Sequence, residues 1–277
     1  MPHPAYRGRF APSPTGPLHF GSLVTALASY LEARTRDGQW LVRIEDLDPL
    51  RESPEAATRI LHSLEAHGLH PDGDVRYQSR RLDVYRRQAE HLVSQGRAYH
   101  CACSRKELAA AGGRHSYHCR QGGQLPPDRP RAIRFALQDE DARWQDRILG
   151  EQRQAVQAEL DDPVIIRKEG FVAYQLAVVV DDIEQGITEI VRGSDLLETT
   201  AQQRQICQAL QGTPPAWAHI PVVLNDQGQK LSKQNLAPAL DDGRAGHNLW
   251  QALVSLGQQP PPDLAAASPD EVLAWAR

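Results

Sequence analysis

Two segments far apart in the chain carry residue types suited to handling a triphosphate. In Pro12-Ser13-Pro14-Thr15-Gly16-Pro17-Leu18-His19-Phe20-Gly21-Ser22, the prolines and Gly16 make a turn, and His19 and Gly21 stand where a helix is predicted to begin. Backbone N–H groups and an imidazole can there face a phosphate. In Lys230-Leu231-Ser232-Lys233-Gln234, two lysines three positions apart flank a small hydroxyl residue, which suits a loop that closes over a triphosphate. Pro12, His19, Gly21, Ser22, Lys230, Ser232 and Lys233 are therefore candidate ATP-binding residues.

A different chemistry is set by Cys101, Cys103 and Cys119, three of the four cysteines, in one short stretch. Such clustering argues for a metal rather than disulfides. A tetrahedral zinc site needs a fourth ligand, and His115, Tyr117 and His118 stand beside Cys119. His115 is the stronger donor chemically, because a neutral imidazole binds zinc better than a phenol, and Tyr117 is the alternative. Four protein ligands leave no open position, so one structural zinc per chain is expected. Cys207 reads as a small buried apolar residue.

The elements that must hold these groups follow from the apolar periodicity. Arg7 to Ala11 reads as a strand, and the turn after it opens a helix with Leu23, Leu27, Tyr30 and Leu31 on one face. Leu41 to Ile44 reads as a second strand running into Glu45, Asp46 and Asp48, and carboxyl ends of parallel strands are where open α/β sheets bind ligands. Helices are predicted from Ser53-Pro54 to near Gly68 and from after Ser79 to Gly96. Ala173 to Val180, closed by Asp181 and Asp182, is expected to be a buried strand of the main sheet. Ile187 to Val191 is expected to be another strand, with Arg192 at its end, where a guanidinium can hold a carboxylate through paired hydrogen bonds.

Alternating strands and helices predict an α/β fold with a doubly wound parallel sheet. Between about Tyr99 and Leu160 the pattern shifts to cysteines, glycine pairs, prolines and a basic run from Arg114 to Arg134. That stretch reads as an insertion that could carry a polynucleotide end. Strands are predicted at 132–137 and 164–167, the latter followed by a Lys168-Glu169-Gly170 turn. Beyond the lysine segment come an amphipathic helix over 248–256, a stiff Pro260-Pro261-Pro262 spacer and a Ser268 to Glu271 capping box. The expected division is 1–98, the inserted metal-bearing unit 99–163, 164–234 and a short helical region 235–277.

The 277 residues carry a formal charge of −4 and a sequence pI near 6.3, so the global field does not draw in a polyanion and any nucleic-acid surface must be local. No apolar run approaches the roughly 18 to 20 residues of a membrane span, and no basic region leads into an apolar one at the start. A soluble cytoplasmic monomer without a membrane partner is expected.

The order of the two phosphate segments resembles the signature pair of class I aminoacyl-tRNA synthetases, His-Ile-Gly-His and Lys-Met-Ser-Lys-Ser, with Ser22 in place of the second histidine. Arg9-Phe10-Ala11-Pro12-Ser13-Pro14, Arg43-Ile44-Glu45-Asp46, Tyr174 with Asp181-Asp182, Arg192-Gly193 and Lys230-Leu231-Ser232-Lys233 together resemble the catalytic half of glutamyl-tRNA synthetases over nearly the whole chain. The large C-terminal anticodon-binding region of those enzymes has no counterpart. With the Cys-x-Cys…Cys cluster, in which relatives also use a tyrosine, the chain is most similar to the glutamyl-queuosine tRNA(Asp) synthetase family.

That resemblance implies a Rossmann-like catalytic core and activation of L-glutamate by ATP with Mg²⁺, without RNA. It further implies transfer of the glutamyl group to the cyclopentenediol ring of queuosine in the anticodon of tRNA(Asp). It assigns His19, Lys230 and Lys233 to stabilising charge on the phosphates, and Arg9, Phe10, Ala11, Pro12, Ser13, Glu45, Tyr174 and Arg192 to glutamate, with Glu45 paired to the substrate ammonium. Asp48 and Asp195 are candidate general bases for the transfer.

Overall fold

The computed structural model describes residues 5–110, 119–224 and 238–277. Strand β1 (Arg7–Phe10) pairs in parallel with β2 (Gln39–Ile44), and β2 in parallel with the short β3 (Arg76–Tyr77). A second set places β9 (Glu189–Gly193) parallel to β10 (Ala216–Ile220), and β10 parallel to β6 (Asp141–Asp146), whose hairpin partner β7 (Gly150–Ala155) is antiparallel. The two sets meet between β1 and β9. There the Thr188 N–H donates to the Arg7 carbonyl at 2.9 Å and the Arg7 N–H to Thr188 Oγ1 at 2.8 Å. The order across the layer is therefore β3-β2-β1-β9-β10-β6-β7. The chain leaves β1 in one direction and β9 in the other, which makes the gap between their carboxyl ends a topological switch point.

Period-two alternation sorts the strand residues onto two faces. Phe10, Val42, Val191 and Ala218 belong to one core, with Leu23 and Leu27 of α1 (Phe20–Arg34), Ile60 of α2 (Pro54–Ala66), Leu249 of α8 (Ala245–Ser255) and Leu273 of α9 (Pro269–Ala276). The residues between them, Arg9, Arg43, Arg192 and His219, point the other way and meet α6 (Tyr174–Glu184) and α7 (Thr200–Ala209). Those helices pack with α3 (Leu82–Ser94) around Tyr85, Leu92, Leu176, Val178 and Ile206 in the second core. The doubly wound α/β reading is thus what the chain builds.

The helix starts follow local chemistry. Ser53 caps α2 by accepting from the Ala56 N–H at 3.1 Å, with Pro54 in the first turn. At α9, Ser268 and Glu271 form the predicted capping box.

One element differs from the sequence reading. The run from Tyr174 to Asp182, expected as a strand, is helix α6, with Leu176 through Asp182 all buried. A helix enclosed on every side shows no apolar stripe, so its sequence looks like a buried strand, and three consecutive valines reinforced that reading. Its length, 11 residues, exceeds that of an ordinary strand, and Asp181 and Asp182 consequently reach the sheet from a helix packed beneath it.

Outside the parallel layer, β4 (Ala98–Cys101), β5 (Ala132–Phe135) and β8 (Val164–Ile166) form an antiparallel sheet, with the short α4 (Arg105–Ala110) beyond β4 and α5 (Val156–Glu159) after β7. The turn predicted after β8 is present: the Arg167 N–H donates to the Phe171 carbonyl at 2.8 Å, and Gly170 takes φ +84°, a conformation open to glycine at little cost. The β6–β7 hairpin, also within 99–163, joins the main layer through β10. No helix among the described residues is long and apolar enough to cross a membrane.

Candidate active site

A cavity of about 450 Å³ opens at the switch point. From β1 and its turn it is lined by Arg9, Phe10, Ala11, Pro12, Ser13 and Thr15, from the start of α1 by Leu18, His19, Gly21, Ser22 and Thr25, and from α6 by Tyr174. The end of β9 adds Val191, Arg192, Gly193, Asp195 and Leu196, and Pro221 to Val223 follow β10. Gly193 fits because any Cβ there would lie 2.4 Å from Asp195 Oδ1.

One side of this cavity is the N-terminus of α1. His19 caps it: Nδ1 accepts from the Ser22 N–H at 3.3 Å, and Nε2 lies 3.0 Å from Ser22 Oγ. No acidic residue occupies the first turn, so the positive end of the helix dipole is left for an anion. Ser22, which stands where the general signature has a second histidine, supplies a hydroxyl to the same spot.

The other side is cationic and buried. Arg9 is anchored through Nε to Asp182 Oδ1 at 3.2 Å. Arg43, fully buried behind it, reaches Asp182 at 2.9 Å and Glu45 at 3.4 Å. Burial would raise Asp182, but Arg9 and Arg43 outweigh it and hold the carboxyl below its usual range. Arg192 is different. Its Nε donates to His219 Nε2 (3.0 Å), Nη1 to Gln203 Oε1 (2.7 Å), and Nη2 to Thr200 Oγ1 (2.9 Å) and the Leu196 carbonyl (3.2 Å). Among the described residues no carboxylate forms an ion pair with it, and burial pulls the guanidinium below its ordinary range. A cation held by neutral acceptors at the wall of a cavity has the chemistry to take an incoming carboxylate.

Nearly all the predicted residues that can be placed converge here: Arg9, Phe10, Ala11, Pro12, Ser13, His19, Gly21, Ser22, Tyr174 and Arg192 all line the cavity. Glu45 lies one layer behind, against Arg43, and burial raises its carboxyl to about 7. Asp48 lies elsewhere, paired with Arg51 at 2.8 Å and Arg167 at 3.4 Å, whereas Asp195 reaches the cavity. Lys230, Ser232 and Lys233 fall outside the described residues. The segment just after them returns beside His19, for the Leu240 N–H donates to the Leu18 carbonyl at 3.0 Å. Sequence reasoning missed Thr200, Gln203, His219 and Asp146. A histidine inside the otherwise apolar strand Ala216–Ile220 was the one available signal.

The sulfur atoms of Cys101, Cys103 and Cys119 lie within 4.8 Å of one another. Cys103 and Cys119 approach to 3.6 Å, too far for a disulfide. Burial and the neighbouring thiols push Cys103 up to about 12. Lys168 steadies the segment by donating to the carbonyls of Ala102 at 3.1 Å and Cys103 at 2.7 Å. Three soft donors in this arrangement can hold a metal ion. His115 and Tyr117, the candidates for a fourth donor, lie outside the described residues. Cys207 is buried in the second core, as its isolated position implied.

A parallel sheet split at a switch point, a helix N-terminus and two arginines facing one cavity match a known class. The sequence profile described as tRNA synthetases class I (E and Q), catalytic domain, matches residues 5–247, and the chain belongs to that family. Within it, the chain is 50% identical to the Glutamyl-Q tRNA(Asp) synthetase of Chromobacterium violaceum, over 100% of this chain and 94% of that protein. It is 51% identical to the protein of the same name from Thiobacillus denitrificans, over 97% and 91%. Among solved structures, a glutamate tRNA ligase from Elizabethkingia meningosepticum in complex with its amino acid superposes with a TM-score of 0.80 at 28% identity. It covers 98% of this chain, which spans only 64% of that ligase.

Proposed function

We propose that the chain forms glutamyl-adenylate from L-glutamate and MgATP without RNA, then transfers the glutamyl group to a hydroxyl of the cyclopentenediol ring of queuosine at the wobble position of tRNA(Asp). The observation that carries the amino-acid half is Arg192, a buried cation without a carboxylate partner among the described residues, at the wall of a cavity that also holds the N-terminus of α1. The relatives' names and the near-complete coverage of their length support the RNA half.

In this reading an α-carboxylate oxygen attacks the α-phosphorus of ATP in line and pyrophosphate leaves. No covalent enzyme intermediate is needed. Arg192 and Arg9 receive carboxylate, Tyr174 adds a hydroxyl, and Glu45, close behind, supplies negative potential toward the ammonium. His19 and the α1 N-terminus face the phosphates, and Lys230 and Lys233 offset the charge that grows on them. Transfer then depends on holding the ring hydroxyl against the adenylate carbonyl, with Asp195 the carboxylate at hand to take its proton. The unit 99–163 is taken to meet the RNA and 235–277 to buttress α1, in a cytoplasmic monomer.

ATP–pyrophosphate exchange without RNA tests the first step. Lys233→Ala is expected to slow glutamate-dependent exchange by about a hundredfold or more, the range for losing one charge-stabilising donor. Exchange near the parent rate would defeat the ATP-site assignment.

We also propose that the cysteine trio holds one structural zinc. Tetrahedral zinc with Zn–S bonds of about 2.3 Å keeps its sulfurs about 3.8 Å apart, close to the observed Cys103–Cys119 spacing of 3.6 Å. The ion would stabilise the thiolates and tie β4 to the segment beyond α4. Elemental analysis should give about one zinc per chain, largely lost in Cys103→Ser. A metal-free protein whose melting point is indifferent to chelator would contradict this. His115→Ala and Tyr117→Phe, compared for retained zinc, identify the fourth ligand.

A further inference from the structure

The structure assigns Asp146 and His219 as positioning residues that fix the tautomer and orientation through which Arg192 is aimed into the cavity. Both are fully buried. Asp146 Oδ2 accepts from His219 Nδ1 at 2.6 Å, and His219 Nε2 lies 3.0 Å from Arg192 Nε. A guanidinium Nε always carries its proton, so Nε2 must offer its lone pair and the ring proton must sit on Nδ1. Asp146 is the group that holds it there, as a carboxylate does for a histidine whose other nitrogen is in use. The chain of contacts runs from a hairpin turn, through the sheet, to the arginine: Asp146 ends β6, His219 is on β10 and Arg192 on β9.

Arg192 touches the cavity and the other two do not. The remaining Arg192 acceptors, Gln203, Thr200 and the Leu196 carbonyl, hold the terminal nitrogens. Among the described residues His219 is the acceptor that holds Nε, and with those three it sets the rotation of the planar guanidinium. The other oxygen of Asp146 has a separate job: Oδ1 accepts from the N–H groups of Ile148 (3.0 Å), Leu149 (2.9 Å) and His219 (3.2 Å), which shapes the hairpin turn. One carboxylate therefore serves structure with one oxygen and tautomer choice with the other.

That division makes the two roles separable. Asp146→Asn keeps an oxygen for the three backbone donors and puts an amide N–H₂ against Nδ1. The ring proton is then driven to Nε2, where N–H faces the N–H of Arg192. This inference rests on the reading that Arg192 receives a carboxylate of glutamate. In pyrophosphate exchange, Asp146→Asn should raise the glutamate KM at least about tenfold while the ATP KM stays within about twofold and the melting point moves little. His219→Gln, whose amide oxygen can accept from Arg192 Nε, should cost less. In that background Asp146→Asn should add less than about twofold, because there is no tautomer left to choose; coupled residues behave in this non-additive way. An unchanged glutamate KM in Asp146→Asn, or equal losses in both backgrounds, overturns the assignment. If Asp146→Asn does not fold, His219→Leu against His219→Gln decides it: loss in the first and recovery in the second is expected, and equal behaviour overturns it. Arg192→Ala separates the two levels. A raised KM there with a silent Asp146→Asn refutes this inference alone, whereas an unchanged KM in Arg192→Ala refutes the underlying reading.

Discussion

Arg192→Ala is expected to raise the glutamate KM by about a hundredfold in ATP–pyrophosphate exchange, with the ATP KM little altered. His219, Gln203, Thr200 and the Leu196 carbonyl take four of the five guanidinium N–H groups. The one charge-assisted hydrogen bond left to Nη1, worth about 1.5–3 kcal/mol, reaches about two decades in affinity at the upper end of that range. Arg9 does not take over this place, since its Nε is anchored to Asp182 at 3.2 Å and it lines the cavity from its own side. The same substitution should disturb stability only modestly. Arg192 rests on neutral acceptors, so its removal strands no opposite charge. An unchanged glutamate KM would remove Arg192 from the pocket.

Asp181→Ala should do the reverse, with a large loss of stability. Asp181 is fully buried, with Oδ1 3.0 Å from both Arg76 and Arg81, and Oδ2 accepting from Gln78 Nε2 at 3.0 Å and Tyr85 OH at 2.8 Å. Arg43 Nε stands 3.7 Å away. Removing one member of a buried ion-pair network costs about 3–5 kcal/mol. Arg43 keeps Asp182 and Glu45 and the partly exposed Arg76 and Arg81 keep Glu184, so the low end is expected, which for a chain of this size lowers the melting point by about 10 °C. Denaturant unfolding should show the loss, and Asp181→Asn, which keeps an acceptor, should lose less. A cost below about 1 kcal/mol would mean that water or repacking satisfies the three arginines.

These contrasts also explain what the sequence could disclose. The β1 strand, the phosphate turn and α1 were legible because local rules define them: alternation, turn residues and an apolar helical stripe. Arg9 and His19 came with them. Helix α6 was not legible as a helix, because a helix buried all round loses the periodicity that identifies one. Tyr174 nevertheless lands in the cavity, since the start of α6 lies there. The supports of Arg192 were hidden for another reason. Thr200 and Gln203 look like ordinary polar residues of an exposed helix, and Asp146 like the end of a polar segment, Asp-Ala-Arg-Trp-Gln-Asp. They become buried only when α7 and the β6–β7 hairpin pack against β9 and β10, contacts between distant parts of the chain that no local pattern encodes. The cysteine trio was legible because soft donors at short spacing have few other uses.

The most direct test of the central claim is transfer of labelled glutamate, with MgATP, to three purified RNAs: queuosine-containing tRNA(Asp), the same tRNA(Asp) lacking queuosine, and tRNA(Glu). The account predicts label on the queuosine-containing RNA alone, whereas label on tRNA(Glu) would make the chain a minimal glutamate-charging enzyme and contradict it.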